Sequence, residues 1–132
     1  MPITVGEPLL VPVSAGELLD KKTILEIKRE RMADASQRAN VERELQLLTA
    51  ITDSAFGNDA QLLALQAQLK TVNEQIWDLE NKVRVHERQG NFGDDFIRTA
   101  RTIYATNDQR AALKREVNRH LNSPLVEEKS HT

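Results

Sequence analysis

Eight positions between Leu62 and His86 constrain this chain more than any other feature. Leu62, Leu65, Leu69, Val72, Ile76, Leu79, Val83 and His86 alternate steps of three and four, which keeps them on one side of a helix. No proline or glycine interrupts residues 60–88, so the spacing predicts a single helix of about 43 Å at about 1.5 Å per residue. Phe56-Gly57-Asn58-Asp59 ahead of it and Gly90-Asn91-Phe92-Gly93 behind it supply a cap and a stop. An apolar stripe of this length has to be covered. Other helices of the chain can do that, and a homodimer through the long helix is a further expectation.

The flanking segments are helical too. Ser14-Ala15-Gly16-Glu17 reads as a capping box opening a first helix to about residue 36. Val41, Leu45, Leu48 and Ile51 place a second helix at about 38–52. A last helix starts near Asp94, with a bend or restart expected at Thr106-Asn107-Asp108-Gln109, and ends near Leu121 before Ser123-Pro124. Pro2, Pro8 and Pro12 forbid a helix over residues 1–13, which read as an extended arm lying on the bundle. The expected organisation is therefore all-α: an arm over 1–13, a helical bundle over 14–122 around the long helix, and a polar tail over 123–132.

Composition excludes several classes of function. With no cysteine there is no disulfide, thiolate metal site or cysteine nucleophile, and a reducing cytoplasm fits. No basic residue precedes Lys21 and no apolar run resembles a signal or spanning segment, so neither export nor membrane insertion is expected. The net charge of −2 and the absence of a reading motif argue against a nucleic-acid partner. No phosphate-binding glycine loop, nucleophile elbow or His-x-x-x-His pair is present, so no metal or cofactor is assigned and catalysis stays open.

The candidate site comes from charged residues on apolar faces. In the first helix Glu17, Lys21 and Lys28 fall in the arc of Leu18, Ile24, Leu25 and Met32. In the last helix the stripe from Phe96 to Leu121 has a polar centre of Asn107, Arg110 and Lys114. Beside the leucine stripe run Asn73, Trp77, Glu80, Arg84 and Glu87. Two readings follow. One is a buried ion-pair network of Lys28 and Arg110 against Glu80 and Glu87, setting helix register. The other is a pocket lined by Glu17, Lys21, Lys28, Glu80, Arg84, Asn107, Arg110 and Lys114, suited to an anionic small molecule with a phosphate or carboxylate.

Several blocks carry a resemblance: VSAGELLDKKTILEIK from Val13, IWDLENKVR at 76–84, FIRTARTIYATNDQRAALKREVN at 96–118 and LVEEKS at 125–130. Together they resemble a small bacterial family of domains of unknown function. His131 stands where that family commonly has Tyr. The resemblance implies no established chemistry. It implies a setting among genes for glycosyltransferases and cell-surface polysaccharide synthesis, hence a binding or assembly protein accessory to that process. The alternative is a small all-α enzyme or binder for a phosphorylated or carboxylated metabolite.

Overall fold

The structure, a computed structural model, describes residues 6–122. It contains four helices and, among the described residues, no strand: α1 (Ala15–Arg31), α2 (Ala35–Phe56), α3 (Ala60–Gln89) and α4 (Asp94–His120). The all-α bundle is as expected. Its organising element is different. The helix touching all three others is α1, while α2 packs mainly on α1 and reaches the main core only through Phe56 at its end. At 27 residues α4 nearly matches the 30 of α3, so no single long helix dominates.

Local capping explains most boundaries. The Ser14 hydroxyl accepts from the Glu17 amide at 3.1 Å, while the Glu17 carboxylate pairs with Lys114 instead of reaching back. Asp59 caps α3 by accepting from the Leu62 amide, and Gly90 ends it in the left-handed region at φ 66°. The hydrogen bond from His120, then that of Leu62, hold the Asp59 carboxyl below its usual range. That pairing ties the start of α3 to the end of α4.

Three boundaries differ from expectation. The first helix stops at Arg31, because Met32 turns extended and Asp34 caps a new helix by accepting from the Gln37 amide at 2.8 Å. The second helix then runs on to Phe56. No restart occurs at Thr106. Its hydroxyl donates to the Thr102 carbonyl within α4, and the residue is buried inside a continuous helix. In the arm, Leu9, Leu10 and Val11 are exposed, Leu10 at 95%, so residues 8–13 do not lie on the bundle. Pro8 and Pro12 hold this segment extended and out of any helix that could pack on the bundle. Residues 1–5 and the polar tail expected at 123–132 lie outside the described residues.

The main core is Leu19 of α1, Leu62, Leu65 and Leu69 of α3 and Val117 of α4, with Phe56 and Leu113 packed at its edge. Fully burying each such side chain stabilises by about 1.5–3 kcal/mol. A smaller cluster of Leu25, Val41 and Leu45 fastens α2 to α1. The heptad stripe is therefore buried intramolecularly as far as Val72, while Ile76, Leu79, Val83 and His86 are half-buried. The change comes where α1 ends, with Arg31 paired to Asp78 at 2.7 Å.

The N-terminus of α1 lies directly against α4. The Gly16 amide donates to Asn118 Oδ1 at 2.7 Å, and a Cβ built on Gly16 would sit 2.5 Å from the Lys114 carbonyl oxygen. That oxygen is backbone and cannot swing aside. Gly16→Ala is expected to lower stability by about 1–3 kcal/mol as α1 is pushed off α4. Thermal unfolding checks this, and a variant melting with the wild type would contradict the close approach.

Candidate functional site

Beneath the α1–α3–α4 junction lies Asp20, a carboxylate only 1% exposed. Arg110 of α4 grips it with two parallel bonds, Nε to Oδ1 at 2.9 Å and Nη2 to Oδ2. Asn73 of α3 donates its Nδ2 to Asp20 Oδ1 and to Thr23 Oγ1, both at 2.9 Å. The Thr23 hydroxyl donates in turn to the Asp20 carbonyl. Both carboxylate oxygens are thus occupied, which is what makes so deep a charge tolerable. One turn toward the N-terminus, Lys114 reaches Glu17 at 2.8 Å with its side chain only 8% exposed.

The eight expected site residues do not converge. Arg110, Lys114 and Glu17 meet at the α1–α4 contact. Lys21 turns the other way and pairs with Glu44 of α2 at 2.9 Å. Arg84 is 71% exposed and lies 3.7 Å from Glu80, one turn back on its own helix. Lys28 and Asn107 are half-buried. Nor does the expected network form. Arg110 takes Asp20 as its partner, not Glu80 or Glu87, and Glu87 is exposed.

Asp20 and Thr23 escaped the sequence reading. A signal was present: Gly16, Asp20, Thr23 and Ile27 fall at steps of four, three and four, a helical face whose one charge is Asp20. Helix phase alone hides this face because α1 buries two faces. Leu25 points at α2, whereas Leu19, Asp20, Thr23 and Ile27 point at α3 and α4.

A cleft of about 240 Å³ opens beside this knot. Its walls are Ile24 and Ile27 of α1 with Ile76 and Trp77 of α3, and Asn73, Glu80, Asn81 and Arg110 contribute polar atoms. A hollow of about 490 Å³ runs along the outer side of α4, past Arg98 and Arg101, but it is more open. At the far end of the α3–α4 hairpin, His86 Nε2 lies 3.1 Å from Asp95 Oδ2, off the line a hydrogen bond needs. Desolvation pushes the Asp95 carboxyl up, but Lys82, His86 and Arg98 outweigh it and hold it low. Among the described residues no group of three or more His, Asp or Glu side chains could hold a metal ion. No described helix is long and apolar enough to cross a membrane.

These features define a class: an all-α helical bundle with an internally neutralised charge knot and a small, mainly apolar cleft beside it. The chain belongs to the family of unknown function DUF6165, whose family model matches residues 9–132. No curated protein and no solved structure matches it.

The knot predicts an asymmetry. Arg110→Met leaves a carboxylate with no exposure and no counter-charge, and is expected to cost about 3–5 kcal/mol. Asp20→Asn leaves Arg110, whose side chain is 29% exposed and can turn to water, so the loss should be smaller. Urea unfolding of the two variants measures both, and the reverse order would contradict the burial described.

Proposed function

We propose that the protein works by binding, with the cleft beside Trp77 as its ligand site. The observation that carries this is a preformed apolar hollow on a floor already locked by Asp20, Asn73 and Arg110. A fixed floor lowers the ordering cost of binding. The family resemblance supplies the setting we propose, an accessory role in bacterial cell-surface polysaccharide synthesis in the cytoplasm. The rival reading, an enzyme or binder for a phosphorylated or carboxylated metabolite, has less support. Three of its five cations are matched from within, Arg110 by Asp20, Lys114 by Glu17 and Lys21 by Glu44, and a fourth, Arg84, is largely in water.

Trp77 is the chain's one tryptophan, so its emission reports occupancy of the cleft directly. A fragment screen spanning cations, anions and neutral molecules should produce saturable changes in that emission. Ile24→Phe, which fills the cleft from α1, should abolish them and leave the melting temperature close to the wild type. A screen without a single saturable response would end this reading.

A second reading, assembly as a homodimer, is favoured by one surface. The buried leucines cannot form it, since α1 and α4 already cover them. The outer side of α3 is different: Gln61, Ala64, Ala67, Gln68, Thr71 and Gln75 are exposed and none is charged. Gln109 and Leu113 of α4 continue this neutral surface across a groove of about 450 Å³. A two-fold interface sets residues near the axis against their own copies, where neutral groups escape like-charge repulsion. Sedimentation should show a dimer that is insensitive to salt and is weakened by Gln68→Glu. A monomer at every concentration would remove it.

A further inference from the structure

We infer that the Trp77 cleft takes an organic ammonium group carried on a short aliphatic chain. This rests on the cleft being a ligand site, and it reverses the sign of ligand charge expected from the sequence.

The charges around the cleft decide the class. Arg110 lines it, but two of its N–H groups are bonded to Asp20, which cancels its charge locally. Glu80 is differently placed. Its nearest cation is Arg84, at 3.7 Å with no hydrogen bond formed, and Arg84 is 71% exposed. The Glu80 carboxylate is itself 42% exposed, so exchanging this loose contact for a ligand costs little. A cation arriving at the cleft therefore meets a negative group whose partner is largely in water. An anion meets Arg110, the cation that lines the cleft, whose carboxylate partner is already in place.

Two acceptors at the cleft point the same way. Asn73 commits its Nδ2 to Asp20 and Thr23, so its remaining offer to a ligand is the acceptor Oδ1. Glu80 offers acceptors only. An ammonium group is a pure donor and complements both. Trp77 and Glu80 are three residues apart on α3, so they share one side of the helix. An indole face next to a carboxylate attracts an ammonium by two additive routes, the ring quadrupole and the full charge.

Size and wall chemistry set the rest of the ligand. Ile24, Ile27 and Ile76 offer only hydrocarbon, which suits methylenes. A volume of about 240 Å³ lies below the roughly 300–1,000 Å³ of drug-sized sites. The fitting group has the dimensions of an amino-acid side chain. A free aliphatic amine and the lysine side chain of a protein share that chemistry.

The experiment titrates the full chain with n-butylamine, butyrate and n-butanol, which share a skeleton and differ in charge, and reads Trp77 emission. The amine should produce a saturable shift at lower concentration than the other two. Glu80→Gln should weaken the amine about tenfold while leaving the butanol response and the helical circular dichroism unchanged. Nα-acetyl-lysine N-methylamide, which keeps a free side-chain ammonium, forms a further arm: tighter binding than butylamine assigns the site to a protein lysine, and weaker binding assigns it to a free amine. Butyrate or butanol binding as well as the amine, or an amine response indifferent to Glu80→Gln, overturns the ammonium assignment and leaves the cleft standing. Silence from all three probes overturns the assignment and, with a silent fragment screen, the cleft as well.

Discussion

A carboxylate buried as deeply as Asp20 could not exist in this fold without Arg110, and three helices are positioned by that dependence. Desolvating a carboxylate costs several kcal/mol, and the cost is offset only when geometry is good and every lone pair is used. Here the guanidinium comes from α4 and the amide from α3, while the Thr23 hydroxyl on the same turn of α1 accepts from that amide and donates to the Asp20 main-chain carbonyl. If any one of these helices slid by a turn, the charge would be left unmatched.

Register is the property most in need of such a lock. The stripe Leu62, Leu65, Leu69, Val72, Ile76, Leu79 repeats with a seven-residue period, so a shift of one heptad sets leucine-like against leucine-like at small cost. Asn73 breaks that degeneracy, because it has buried partners in only one register. Buried polar groups of this kind contribute specificity more than net stability. The burial of Leu19, Leu69 and Val117 supplies the cohesion, and the Gly16–Lys114 contact brings α1 close enough for both.

The same arrangement shapes what the surface can do. Because α1 is the hub, its cations are drawn to the acids of its neighbours: Lys21 and Arg29 to α2, Arg31 to α3. These pairs make these cations of α1 ties between helices. Where α1 ends, α3 and α4 continue as a pair with a half-buried interface. The cleft sits just before that end, where Ile24 and Ile27 of α1 face Ile76 and Trp77 of α3. Its polar rim follows from the knot below it.

Read alone, the sequence determined what depends on neighbours three or four residues away. The cap at Ser14, a cap at Asn58 or Asp59 and the glycine stop at Gly90 were legible because each is a hydrogen bond within one turn, and the structure places the second at Asp59. The Asp34–Gln37 cap was equally local and was overlooked, so α1 was drawn too long. Thr106 looked like a cap by the same pattern, yet tertiary burial kept it inside α4, since its hydroxyl found a carbonyl one turn back. The partner of Arg110 was a different matter. Asp20 lies 90 positions away, and helix phase says which way a side chain points but not which helix stands opposite. Only the packing of α1 between α2 and the α3–α4 pair decided that Arg110 and Lys114 would be paired with acids of α1 and that Glu80 and Trp77 would border an open cleft.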